Sequence, residues 1–219
     1  MTPARALTLG LALTATAGFV DAVGFIALGG FYTSFMSGNT TQLGTGIVLG
    51  RGWALALPAG LLVLFFLGSF LGQLVSQSSR RWGPAATLGV VVIGIAISLA
   101  QYFVGVGPAQ SMLALAAAAG AQNAVLQPIG AARLGATFVT GTLFAAGQDL
   151  ARATAGLAPP WRWLQHLLVW ASLCTGALIG GLAYGFWQMT ALLIPAAVYL
   201  VCLGWFAIKS RIDPAKRVI

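Results

Sequence analysis

The sequence is short of charge, and of acid above all. Charged residues make up 6% of 219 positions, and only three of them are acidic. A soluble domain carries about 25% charged residues. This chain therefore lacks the charge to solvate a globular surface, and lipid must meet most of it. Histidine occurs once, and HExxH, GxSxG and GxxxxGK[ST] segments are missing, which removes the usual metalloprotease, serine-hydrolase and phosphate-cradling sites. The acids are too few and too far apart for a base beside a nucleophile. The chain is accordingly not read as an enzyme, and neither a cofactor nor a metal is expected. The two cysteines, Cys174 and Cys202, show no CxxC or Cys/His spacing. Both lie in apolar runs, where free thiols are expected as small core residues. The net charge of +8 comes without a basic cluster interleaved with aromatics, which excludes nucleic acid as a partner. The basic residues sit in short connectors, as in loops that face a negative leaflet.

What the chain does have is apolar length. Hydrophobic residues make up 59% of it, and mean hydropathy is +0.92. A helix needs about 20 apolar residues to cross the bilayer core. Such stretches run over 6–29, 54–77, 85–105, 109–129, 163–187 and 190–208, separated by Gly, Pro and Arg. The first also resembles a secretory signal, with Arg5 before the apolar run and Ala15-Thr16-Ala17 as a cleavage-like end. A similar segment recurs in mid-chain, so the first is expected to be an uncleaved span.

One polar patch interrupts the pattern, at Phe35-Met36-Ser37-Gly38-Asn39-Thr40-Thr41-Gln42-Leu43-Gly44. Polar atoms buried without partners cost about 2–7 kcal/mol each in an apolar medium. The patch must be paired or wetted, which makes it the first candidate for a site. It also has a counterpart. Gly18-Phe19-Val20-Asp21-Ala22-Val23 lies over Gly120-Ala121-Gln122-Asn123-Ala124-Val125, and Phe35-Met36-Ser37-Gly38 over Phe138-Val139-Thr140-Gly141. The next span of each half carries a GxxxG, Gly68/Gly72 and Gly176/Gly180. The expected architecture is one all-α membrane domain of two pseudo-repeats, 1–107 and 108–219.

The semi-polar segments 33–50 and 135–151 decide its symmetry. If each dips in and returns, there are six transmembrane helices plus two re-entrant or broken segments, and the halves are inverted. Arg80, Arg81, Arg133, Arg152, Arg162, Lys209, Arg211, Lys216 and Arg217 then share a side with Arg5, and only Arg51 is across. If both segments cross, there are eight spans in parallel 4+4 repeats, with Arg80, Arg81 and Arg133 outside. The positive-inside rule favours the first arrangement. It also implies a multi-pass membrane protein with a cytoplasmic C-terminus.

Two inverted halves with discontinuous polar segments match how carriers build a site at the repeat interface. The leading expectation is a secondary transporter or permease-like carrier of a small polar solute or ion. Asp21, Ser37, Gly38, Asn39, Thr40, Thr41, Gln42, Asn123, Thr140, Gly141 and Thr142 are its candidate contacts. Intramembrane acids default to function, so Asp21 is the candidate for coupling to a proton or cation. Gly38 and Gly141 are expected to break the backbone. A non-transporting scaffold or partner subunit is the alternative, since the same polar groups and glycine pairs can join helices; the GxxxG faces would also suit a homo-oligomer. A passive channel comes third. Asp149 is expected to form a surface ion pair with Arg152. Trp161-Arg162-Trp163-Leu164-Gln165-His166 reads as an interfacial anchor, with His166 a boundary residue.

The pair Gly18-Phe19-Val20-Asp21-Ala22 and Phe35-Met36-Ser37-Gly38-Asn39 resembles the YoaK family of small bacterial membrane proteins, a domain of unknown function. The family's G-x-x-D-A and F-x-[ST]-G-N features stand here as quoted, with Ser37 where Thr is more frequent. The resemblance covers nearly the whole chain. It implies a six-span inner-membrane protein, and it implies no substrate.

Overall fold

The computed structural model describes residues 3–50, 52–79, 81–125 and 139–212. Among the described residues the chain is all helix and turn: α1 (Pro3–Ala27), α2 (Met36–Val48), α3 (Ala56–Ser78), α4 (Gly83–Phe103), α5 (Pro108–Gln122), α6 (Val139–Thr154), α7 (Arg162–Trp187) and α8 (Leu193–Ile212). Short 3-10 turns, Gly52–Leu55 and Gln188–Leu192, lead into α3 and α8. The boundaries follow local chemistry. Pro84 and Pro108 stand in the first turns of α4 and α5, where a missing N–H costs nothing. Gly105, at φ +83°, closes the turn after α4. Gln188, a non-glycine residue at φ +51°, turns the chain out of α7.

Among the described residues, four stretches are long and apolar enough to cross a membrane: Leu7–Ala27, Ala56–Ser78, Gly83–Phe103 and Arg162–Ile212, the last being α7 and α8 joined through their 3-10 turn. The expected span 109–129 is described only as far as α5 and a following turn. That helix has 15 residues, about 22 Å at 1.5 Å per residue, and residues 126–129 lie outside the described residues. The patch segment 33–50 resolves into a loop and α2, whose 13 residues reach about 20 Å. Gly38 and Gly141 break no helix. Gly38 stands in the first turn of α2 and Gly141 in that of α6. The rings of Phe35 and Tyr32 lie where a Gly38 side chain would be.

The long helices pair through glycine. A methyl group at Gly176 would overlap the Ala15 carbonyl, and one at Gly180 would come 2.5 Å from the Phe19 carbonyl oxygen. A methyl at Gly18 would in turn overlap the Leu173 carbonyl. These contacts advance together along both helices, so α1 and α7 run parallel. Gly68 meets Ala117 and Gly72 meets Ala121, while Gly120 meets Phe65 and Ser69; α3 and α5 are likewise parallel. Other pairs run the opposite way. Gln122 of α5 bonds to Leu13 of α1, while Leu115 shares a cavity with Val20, so α1 and α5 are antiparallel. Arg81, just before α4, bonds to Ser210 of α8, and Gly89 meets Leu203, so α4 and α8 are antiparallel too.

Both GxxxG pairs are thus buried inside one chain. Leu13, Val23, Leu61, Leu88, Ile95, Met112, Leu115, Leu192 and Tyr199 form the middle of the core. Phe66, Phe70 and Leu74 of α3 and Leu178, Leu182 and Phe186 of α7 face outward. Each such side chain favours an apolar surrounding by about 1.5–3 kcal/mol, and lipid supplies it. Cys174 is also exposed, and Cys202 half-buried, so the first is not the core thiol its apolar run suggested.

Gly176→Ala is expected to lower stability by about 1–3 kcal/mol, because the added methyl meets backbone that cannot move alone. Gly185→Ala, where a methyl meets nothing within 4 Å, is the control on the same helix. Thermal unfolding midpoints in detergent test the pair, and equal midpoints would contradict the packing described.

Candidate functional site

Between α1 and α2 the chain leaves helix for eight residues, 28–35. Gly29 and Gly30, at φ +65° and +110°, turn it back toward the bundle through backbone angles that other residues rarely adopt. Backbone N–H and C=O groups away from water cost several kcal/mol each when unsatisfied. Three side chains satisfy them here.

Asp21, from α1, takes most. Its Oδ1 accepts from Thr33 N at 2.9 Å, Thr33 Oγ1 at 2.9 Å and Ser34 N at 2.8 Å, and its Oδ2 accepts from Ser34 Oγ at 2.9 Å. An ionised carboxylate is acceptor-only with room for about four such bonds, and both backbone N–H groups can only donate. Asn39, from α2, is fully buried and holds the peptide of Tyr32 at both ends. Tyr32 N donates to Asn39 Oδ1 at 3.0 Å, and Asn39 Nδ2 donates to Tyr32 O at 2.7 Å. Gln42, three residues on and therefore on the same helix face, donates to Gly30 O at 2.6 Å. Phe25 and Phe35 flank the Tyr32 ring at centroid distances of 4.9 and 5.0 Å.

Of the candidate residues, then, Asp21, Asn39 and Gln42 meet at one loop. Ser37, Thr40 and Thr41 lie on the exposed side of α2. The Thr40 and Thr41 hydroxyls donate to carbonyls of their own helix, Met36 at 2.8 Å and Ser37 at 3.1 Å. Asn123 follows α5, and its Nδ2 donates to Ala119 O at 3.2 Å. Thr140, Gly141 and Thr142 open α6, which packs along α7.

Residues that sequence reasoning passed over complete the picture. Thr33 and Ser34 are buried and face two ways, toward Asp21 and toward a cavity of about 10 Å³. That is the space of roughly one water. Ala17, Val20, Val91, Ile95, Leu115, Gln122 and Tyr199 close the rest of it. Gln122 Nε2 donates to Leu13 O at 2.9 Å, and Tyr199 Oη donates to Gln122 Oε1 at 2.7 Å, so α1, α5 and α8 are joined at its far wall. The signal for Gln122 was its place beside Asn123. One helical step of 100° separates an inward side chain from its neighbour.

A second polar cluster ties α6 to α7. Arg162 donates from Nε to Asp149 Oδ2 at 2.7 Å and from Nη2 to Oδ1 at 2.5 Å, and His166 Nε2 lies 3.3 Å from Oδ2. Asp149 therefore pairs with Arg162 rather than Arg152, and His166 has an acid beside it. Hydrogen bonds from the guanidinium hold the Asp149 carboxyl below the usual carboxylate range.

Asp21→Ala should destabilise the protein by about 3 kcal/mol or more, since buried donors left unpaired cost about 1–3 kcal/mol each. Asp21→Asn, which keeps one carbonyl oxygen, should cost less. Thr40→Ala removes only an exposed back-bond and should be nearly neutral. Thermal midpoints of the three variants test the order, and an Asp21→Ala protein as stable as Thr40→Ala would contradict the role given to the carboxylate.

The sequence itself has relatives. Residues 9–205 match the family described as a protein of unknown function (DUF1275). The chain is 33% identical over 221 residues to the UPF0700 transmembrane protein RA0705 of Rhizobium meliloti (strain 1021), a match that covers 94% of this chain and 95% of that one. No solved structure matches. Apolar outward faces, helices of spanning length and a transmembrane relative agree on a multi-pass membrane protein. This chain belongs to the DUF1275 family, the one that its Gly18–Ala22 and Phe35–Asn39 segments resemble.

Proposed function

We propose that the protein is a secondary carrier of a small polar solute or ion in a bacterial inner membrane. In this reading there are six full spans and two inverted repeats, with the C-terminus cytoplasmic. Helix directions support the topology. Helix α1 shares its direction with α7, and α5 shares the opposite direction with α3. Consecutive crossings alternate, so α3 can oppose α1 only if α2 does not cross. By the same reasoning α6 does not cross between α5 and α7. The repeat reading draws support from the reciprocal glycine contacts, in which the first helix of each half packs on the GxxxG helix of the other. Arg5, Arg81, Arg152, Arg162, Lys209 and Arg211 then fall on one side, which the positive-inside rule makes cytoplasmic.

The single observation that carries the function is the small, mostly apolar cavity between antiparallel α1 and α5, one wall of which is the non-helical loop at Thr33 and Ser34. Carriers place their sites where inverted halves meet and where broken backbone lines a cavity. A scaffold role is the second reading. It is favoured by the way Asp21 and Asn39 direct their polar atoms to the chain's own loop.

Flux in proteoliposomes separates the two. Purified protein would be tested with labelled glycine, urea, glycerol, acetate and methylammonium, with and without a pH gradient. The carrier reading expects uptake of at least one probe above empty liposomes, reduced about tenfold by Asn39→Ala and much less by Thr142→Ala. Absence of uptake by well-folded protein, or equal effects of the two variants, would count against it.

A further inference from the structure

We infer that the end of the bundle where α3 passes into α4 and α8 stops is a binding site for the headgroup of an anionic phospholipid. Six basic residues belong to these two stretches of sequence, Arg80 and Arg81 in the connector and Lys209, Arg211, Lys216 and Arg217 in and after α8, against one acid, Asp213. Arg81, Lys209 and Arg211 are among the described residues; the other four lie outside them. A reciprocal clasp fixes the place. Arg81 Nε donates to Ser210 O, and Ser210 Oγ donates to Arg81 O. The turn before α4 is held as well, since Ser79 Oγ accepts from Arg81 N at 3.3 Å and from Trp82 N at 3.1 Å. Arg81, and the Lys209 and Arg211 that flank Ser210, are therefore kept together at one end of the antiparallel pair.

Two of these cations are oriented by tryptophan. The Arg81 guanidinium stands 5.3 Å from the centre of the Trp82 ring, and the Lys209 ammonium 5.2 Å from that of Trp205. Such contacts place a cation and leave its N–H donors unspent. Among the described residues, the terminal nitrogens of Arg81, the Lys209 ammonium and the Arg211 guanidinium donate to nothing. Neither described carboxylate is at hand, for Asp21 holds Thr33 and Ser34 and Asp149 holds Arg162. Placed cations with open donors call for an anion, and a phosphodiester matches them in charge and acceptors. The surroundings say that it arrives on a lipid. Spacings of three and four put Trp205, Ile208, Lys209 and Ile212 on one face of α8. Trp205, Ile208 and Ile212 are exposed there, as are Leu74 and Trp82 on the other side. Lys209 thus stands on an outward apolar stripe, with tryptophans at the level where headgroups lie. A free phosphate has no use for that stripe, whereas a phospholipid lays its acyl chains along it. A choline or ethanolamine headgroup would bring its own ammonium to a place that is already cationic, so the headgroup that fits is one without it, such as phosphoglycerol. The site does not depend on whether the protein carries a solute.

The test uses the purified full chain in a maltoside detergent. Its thermal midpoint is followed as phosphatidylglycerol or phosphatidylcholine is added to the micelles, and separately as sodium phosphate replaces sodium chloride at constant ionic strength. Binding to the folded state raises the midpoint in a saturable way. Phosphatidylglycerol should do this, and phosphatidylcholine and free phosphate should not. In the double variant Lys209→Gln, Arg211→Gln the half-saturating lipid fraction should rise about tenfold or more, because each basic residue adds to the hold on an anionic lipid. Arg211→Gln alone carries the comparison, with a smaller rise, if the double variant does not fold. Arg152→Gln removes an exposed charge from α6 and should respond like the wild type. Equal responses to the two lipids would overturn the site, as would a phosphate effect as large as that of phosphatidylglycerol. So would an Arg152→Gln protein weakened as much as the double variant, which is the mark of net charge attracting lipid without a place for it.

Discussion

Everything near the candidate site depends on one carboxylate accepting four hydrogen bonds. Asp21 takes two backbone N–H groups and two hydroxyls from consecutive residues, Thr33 and Ser34. Without those bonds the loop 28–35 would carry bare peptide groups in a greasy interior, a state that lipid does not tolerate. With them, irregular backbone can stand against the bundle and form a wall. Asn39 and Gln42 of α2 complete the hold from the other side. The most polar stretch of the sequence is therefore the chain's means of keeping a non-helical segment in place, and the cavity exists because that segment is kept.

Close backbone approach makes the surrounding frame. Between apolar helices in lipid, association rests on packing and hydrogen bonds rather than on exclusion of water. Gly18, Gly176 and Gly180 let α1 and α7 touch backbone to backbone, and Gly68, Gly72 and Gly120 do the same for α3 and α5. Polar links are few and lie at the crossings. Ser76 donates to Ala124 O at 3.0 Å, Gln122 joins α5 to α1 and α8, and Arg81 with Ser210 joins the start of α4 to the end of α8. These are the positions where a polar side chain can serve two helices at once.

The long helices were legible in the sequence because hydropathy over about 20 residues is a strong signal, and the glycine pairs announced close packing. Which helix each would meet was not legible, since GxxxG names a surface and not its partner. Asp21 and Asn39 were found because polar groups in an apolar chain stand out. Their target, the loop at Tyr32, Thr33 and Ser34, was not, because it depends on the turn at Gly29 and Gly30. Gln122 was missed in favour of Asn123 by one residue, a difference of helical phase that a repeat alignment does not resolve. Asp149 was given the wrong arginine for a related reason: Arg152 is near in sequence, but the turn after α6 returns Arg162 and His166 to the same carboxylate.

The central claim is that α2 enters and leaves on one side, held there through the Asp21 clasp. Single cysteines at Thr2, Arg51 and Arg80, in a Cys174→Ser, Cys202→Ser background, test it most directly when probed in intact cells with a membrane-impermeant maleimide. The proposed topology has Thr2→Cys and Arg80→Cys reporting one side of the membrane and Arg51→Cys the other. Thr2→Cys and Arg51→Cys on the same side, with Arg80→Cys opposite, would mean that α2 crosses and would contradict the account.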